Sequence, residues 1–134
     1  MAEPKGAGRR RLLRLLAAVG GAPAEGELLG AEAQARGEQA DRAILQAAVA
    51  LEHHAIALYD LGLSRNLVPV GLRRYAIEFR GDHQGHRDTQ IGLIEERGGA
   101  APAPLQRYAF GPLLAGDAFV RQVLEIEWAA QRAY

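Results

Sequence analysis

Residues 41–63 read DRAILQAAVALEHHAIALYDLGL, and the reading of this stretch decides the fold. It contains no proline and no glycine before Gly62, and Ile44, Leu45, Ala48, Leu51, Ala55, Leu58 and Tyr59 recur at spacings of three and four. That periodicity predicts an amphipathic helix of about six turns. Glu52 falls among the apolar positions, with Leu45, Ala48, Ala55, Ile56 and Tyr59 as its neighbours along the same face. Burying an isolated carboxylate is costly unless it is protonated, paired or bound to a metal. Glu52 therefore calls for a partner elsewhere in the chain.

Downstream, Gly62-Leu63-Ser64-Arg65-Asn66 reads as a helix stop and turn, and Pro69 suits the first turn of a second helix expected from about Val68 to Arg97. The expected core face of that helix is Leu72, Tyr75, Ala76, Phe79, His83, His86, Gln90, Leu93 and Ile94. Gly81 and Gly85 within it mark either close approach by a neighbouring helix or a local weakness of roughly 1 kcal/mol each against Ala. Gly98-Gly99 closes the helix, and Ala100 to Gly116, with Pro102, Pro104 and Pro112, reads as a long crossing loop. Asp117 is a good N-cap for a third helix whose face is Phe119, Val120, Val123, Leu124, Glu127, Ala130 and Tyr134. The pattern reaches Tyr134 without a Gly, Asn or Pro stop, so the expectation is of a chain ending before a fourth helix. Upstream, residues 25–40, with Gly26, Gly30 and Gly37, carry no strong period and are expected to form a linker or frayed helix. The fold class expected is all-α, three main helices and no sheet.

Composition agrees. At 134 residues the chain accommodates one domain, and 49% hydrophobic residues with only 6% aromatic favours helices packed on small side chains. Sixteen basic and sixteen acidic residues cancel, which gives no reason to expect nucleic acid or an anionic membrane as partner. The absence of cysteine excludes disulfides, thiolate metal sites and cysteine nucleophiles, so any metal must be held by carboxylate and imidazole.

The first 25 residues carry a local charge of +3. Arg9-Arg10-Arg11 with Leu12 and Leu13, a short apolar run from Leu15 to Gly21, and Ala22-Pro23-Ala24 follow the order n-region, h-region and cleavage site. The Arg pair resembles a twin-arginine export signal over residues 1–24, implying export in a folded state to the periplasm or cell envelope. The alternative is a solvated basic tail on a cytoplasmic protein. The apolar run is too short for a membrane span, so no span is expected in the mature chain.

Glu127, among Val120, Val123, Leu124, Ala130 and Tyr134, repeats the problem posed by Glu52, and each Glu has a Tyr seven residues on, Tyr59 and Tyr134. Between them Asp82-His83-Gln84-Gly85-His86 sets two imidazoles at i and i+3 on one helical face. Two His and two Glu make a plausible site for iron, manganese or zinc. Asp82 and His86 are a competing pair, and His53 and His54 read most simply as flank or surface residues.

These residues resemble the ferritin-like superfamily, and more narrowly the bacterial ferritin-like domain proteins that often carry twin-arginine signals. The matching text is Ala50 to Ile56 with Tyr59, Phe79 to Asp88, Gly98-Gly99, and Glu127 to Tyr134, over about residues 40–134. In carboxylate di-iron bundles of this kind two helices give a Glu each and the other two a Glu-x-x-His each. The resemblance therefore implies metal ligands at Glu52, His83, His86 and Glu127, with Tyr59, Tyr134, His54 and Asp82 as supporting or alternative groups. This sequence departs in two places: His83 stands at the position of a carboxylate, and no fourth-helix motif is present.

The resulting expectation is an exported protein that binds a metal, iron first with manganese or zinc as alternatives. If it is an enzyme, the resemblance implies a ferroxidase- or oxidase-type non-haem iron or manganese oxidoreductase. Self-association or a partner would supply the missing helix. The competing expectation is a metal-free interaction or structural module, in which Glu52 and Glu127 pair with His83, His86 or an Arg and the open face self-associates. No Gly-rich phosphate loop, Gly-x-Ser-x-Gly elbow or basic stripe points to other chemistry.

Overall fold

The chain's structure, a computed structural model, describes residues 24–133. Among them are three α-helices and no strand: α1 (Ala24–Ser64), α2 (Arg73–Glu96), preceded by a 3-10 turn at Val70–Leu72, and α3 (Asp117–Ala133). The proposed export signal lies almost wholly outside the described residues, as does Tyr134.

α1 begins at Ala24 instead of near Asp41, so residues 25–40 are helical throughout and not a linker. The Ala, Glu, Gln and Arg content of this stretch carries enough helix propensity to absorb its glycines. Gln34 and Glu38 hydrogen-bond at 3.2 Å and Arg36 and Glu32 pair at 3.8 Å, both at i,i+4. Positions 30–41 are exposed. They belong to a compact unit ending at Asp41, and the bundle described below belongs to a second, Arg42–Tyr134.

The helix ends are set by local sequence. At the end of α1, Asn66 takes φ 55°, Leu67 N–H reaches Gly62 O at 2.9 Å and Asn66 N–H reaches Leu63 O at 3.4 Å. At the end of α2, Gly98 takes φ 69°, with Gly99 N–H to Ile94 O and Gly98 N–H to Glu95 O, both 2.9 Å. Both are Schellman terminations, in which a left-handed residue lets the chain satisfy the last carbonyls. α3 starts at Asp117 itself, so the expected cap residue lies in the first turn, where its charge complements the helix dipole.

The loop at 100–116 is held along α1. Gln46 Nε2 donates to Ala100 O at 3.0 Å, His53 Nε2 lies 3.1 Å from Pro102 O, and Arg42 Nη2 donates to Arg97 O at 3.3 Å. These three residues share one stripe of α1, which fixes the path of the loop. His53 is thereby buried, contrary to its reading as a flank or surface residue.

Leu58, Tyr59, Val68, Ala76 and Phe119 form the core cluster, with Leu63, Leu67, Phe110, Leu113, Val123 and Ile126 packed against it. On α2 only Ala76, His83, Gln90 and Ile94 of the expected face are buried. Leu72, Tyr75, Phe79 and Leu93 are exposed, as is Leu124 on α3. The apolar stripe of α2 is wider than the surface that α1 and α3 cover. No helix of the described residues is long and apolar enough to cross a membrane.

An added Cβ at Gly81 or Gly85 would meet nothing within 4 Å, so these glycines accommodate no neighbouring helix. Gly62 is different, because its Cβ would lie 2.1 Å from the Phe119 ring, itself 1% exposed. Gly62→Ala is therefore expected to destabilise the protein by about 1–3 kcal/mol through overpacking. Gly81→Ala, in an open helical position, is expected to stabilise it by up to about 1 kcal/mol. Urea unfolding of the two variants beside the parent checks the opposed signs.

Candidate metal centre

The three helices bring their inward polar groups to one place. Glu52 on α1 is only 2% exposed. Its Oε2 lies 2.6 Å from Nδ1 of His83 on α2, and the other nitrogen of that ring, Nε2, lies 3.1 Å from Oε1 of Glu127 on α3. One imidazole thus bridges two carboxylates. Tyr59 donates its hydroxyl to the same Glu127 oxygen at 2.5 Å, and Gln90 Nε2 reaches Glu52 Oε1 at 3.5 Å. His86 Nδ1 stands 3.8 Å from Glu52 Oε1, with 63% of its side chain exposed.

Both nitrogens of an imidazole can donate only when the ring is protonated. Burial by itself would lower the basicity of His83, but the hydrogen bonds to Glu127 and Glu52, reinforced by their negative charges, outweigh it and raise the ring to about 9. In return, the His83 hydrogen bond holds Glu127 below the usual carboxylate range; burial opposes this, while the Tyr59 hydrogen bond and the charges of His83 and His86 assist. Burial and the adjacent Glu127 carboxylate push Tyr59 well up, so its phenol stays protonated as a donor.

Glu52, His83 and His86 each offer one ligand atom, and these atoms all lie within 4.8 Å of one another. Metal–donor bonds of about 2.0–2.2 Å place the donors of one ion within about 4.4 Å of each other. The three groups are at, or a slight contraction from, coordination distance, so the donor set fits a metal ion. Glu127 joins this group through His83 and Tyr59.

The remaining expected residues divide. Tyr59 lines the site, but it bonds Glu127 across the bundle and not the Glu of its own helix. His54 lies away from the ligands, edge-on to Tyr108 and Phe110 at ring separations of 5.4 and 4.9 Å, and burial lowers its basicity. Asp82 is exposed and outside the cluster. Gln90 was expected in the core, and its position seven residues after His83 is the signal that also places it beside Glu52.

A family model for the ferritin-like domain matches residues 40–134. The chain belongs to the ferritin-like domain family. Comparison with curated proteins and with solved structures gave no match. The ferritin-like pattern takes a Glu from each of two helices and a Glu-x-x-His from each of the others; here α1 carries Glu52, α3 carries Glu127 and α2 carries His83-Gln84-Gly85-His86. The first His of that motif is the one that bridges the two carboxylates.

This network makes stability depend on pH in a definite sense. The raised His83 contributes stability that is fully present below its ordinary 6.5 and lost as pH rises through about 9. The lowered Glu127 contributes stability present above its ordinary 4.5 and lost as pH falls through its lowered value. The melting temperature of chelator-treated protein is expected to fall between pH 6.5 and 9, and to fall less steeply in Glu127→Gln, where one source of the raised His83 basicity is removed. Thermal unfolding across that range measures both slopes, and equal slopes would contradict the bridging role.

Proposed function

We propose that this ferritin-like protein binds one metal ion, iron in the first place, through Glu52, His83 and His86, with Glu127 holding the ring of His83. The observation that carries the reading is the approach of these three donors to within 4.8 Å of one another, two of them buried in the bundle. Two imidazoles and one carboxylate with room for further ligands form the donor set of non-haem iron sites; zinc and manganese are the competitors. Iron held there would supply one-electron redox chemistry and Lewis acidity.

The chain's own residues perform the holding. A ligand imidazole uses one nitrogen for the metal and donates the other N–H to an acceptor that fixes the ring. His83 already has a carboxylate on each side, so Nδ1, beside Glu52, would serve the ion while Nε2 keeps Glu127. Metal uptake requires His83 to release a proton. Tyr59 steadies Glu127 and Gln90 steadies Glu52, so neither carboxylate is left to swing freely.

Charge supports a single ion. Glu52 and Glu127 together neutralise one divalent cation, whereas a four-Glu site neutralises two. The export signal supports loading before folded transport to the cell envelope, since Arg9-Arg10 with Leu12 and Leu13 precedes Ala22-Pro23-Ala24. The exposed Leu72, Tyr75, Phe79, Leu124 and Trp128 support self-association or a partner helix.

A second reading is favoured by one observation: His83 between Glu52 and Glu127 is itself a cation paired with both carboxylates, so a metal-free module already has a counter-charge in place. The two readings part on one measurement. Loading with Fe(II), Mn(II) and Zn(II) followed by elemental mass spectrometry is expected to leave about one equivalent of metal per chain, iron under cellular conditions, with a raised melting temperature that His86→Ala abolishes. His86 is exposed, so its removal should leave the metal-free protein folded. Retention of less than about a tenth of an equivalent, with no thermal response, supports the metal-free module.

A further inference from the structure

A second feature lies outside the metal cluster and stands independently of it. A cleft of about 1170 Å³ opens between α1, α2 and the loop at 100–116. Its lining includes Arg65 from the end of α1, Arg80 and Arg87 from α2, and Arg107 from the loop, opposed by the single carboxylate of Asp60. Three separate elements thus deliver like charges to one concavity in a chain whose formal net charge is zero. A cleft lined by one sign of charge focuses the field and concentrates ions of the other sign.

The internal pairing leaves this charge largely uncompensated. Arg80 Nη1 donates to Asp60 Oδ1 at 3.0 Å, but Arg80 Nε is buried and meets no acceptor among the described residues. Among the described residues Arg87 is paired only with the next residue, Asp88, whose side chain is 65% exposed. Arg65 and Arg107 are exposed and form no ion pair among the described residues. Tyr108 gives the cleft an aromatic wall, stacked on Phe110 at 5.9 Å. Guanidinium groups take phosphate or carboxylate oxygens in bidentate fashion, and the volume exceeds what a bare inorganic ion fills.

We infer that this cleft binds a multiply charged small oxyanion, a phosphate-bearing or polycarboxylate organic molecule, held by Arg65, Arg80, Arg87 and Arg107 against the Tyr108 wall. The site is separate from the metal ligands, although Arg87 directly follows His86 and His53 of the cleft wall directly follows Glu52.

Calorimetric titration of the full, metal-stripped chain with pyrophosphate and, separately, with citrate tests the inference. Saturable one-to-one binding of at least one probe is expected, weakening as salt is raised. Pyrophosphate alone would identify a phosphate ligand and citrate alone a polycarboxylate. The Arg65→Gln/Arg107→Gln double variant, altered only at exposed positions, is expected to bind roughly tenfold or more weakly. The charge-matched Arg74→Gln/Arg121→Gln variant, exposed and away from the cleft, is expected to bind as the parent does. Failure of both probes to saturate, undiminished binding in the first variant, or equal weakening in the second overturns the assignment.

Discussion

A carboxylate with only 2% of its surface exposed, as Glu52 has, cannot remain charged in a helical core without a counter-charge, and the bundle is built around supplying one. His83 supplies it and extends to Glu127 from the ring's other side, so a single imidazole ties α1, α2 and α3 together. Removing one partner of such a buried pair typically costs about 3–5 kcal/mol, because the other charge is left uncompensated. The apolar cluster around Leu58 and Phe119 packs the same helices nearer the α1–α2 turn. Packing there brings the helices together, and the His83 bridge sets which faces meet.

Much of this was legible in the sequence because it follows from helical periodicity. Glu52 and His83 lie on the stripes that periodicity assigns inward and are buried there, whereas Glu127 is half-buried and His86 is exposed at the rim; the glycine and asparagine at the helix ends terminate the helices as their left-handed conformations allow. What periodicity cannot supply is how far around a helix its neighbours reach. Leu72, Tyr75 and Phe79 share the stripe of Ala76 and His83 but lie on its outer edge, where α1 and α3 do not cover them. His53 and His54 show the same limit. Adjacent on α1, one is sealed by Pro102 O and the other by Tyr108 and Phe110, and both outcomes depend on the path of a loop fixed by contacts some fifty positions away. Residues 25–40 read as a linker or frayed helix for a different reason: local i,i+4 pairs sustain an exposed helix that has no apolar face to decide between the two.

Tyr59 illustrates how a local pattern can point to a residue without fixing its partner. Its spacing from Glu52 marks it as a supporting group, and its hydroxyl meets Glu127 on the facing helix. Residues seven apart on a helix are about 10 Å apart along its axis, whereas a facing helix lies about 8–10 Å away axis to axis with side chains interleaved. A Tyr two turns along reaches the carboxylate opposite more readily than the one behind it. The cross-bundle bond also keeps the phenol protonated, since ionising it would set two negative charges side by side.

A histidine at position 83, between two carboxylates, sets the charge of the centre. In a cluster of Glu52, Glu127 and protonated His83, one negative charge remains, and His86 at the rim is placed to moderate it. Exchanging the His83 proton for a divalent cation turns that residual charge to zero, which favours the exchange in a low-dielectric setting. A second divalent cation would leave the cluster with an uncompensated charge of two, and among the described residues no further carboxylate lies in the cluster to meet it. A Glu at that position could not have balanced the other two carboxylates in the absence of metal. His83 offsets one of them, because its protonated form carries a counter-charge that a third carboxylate would lack.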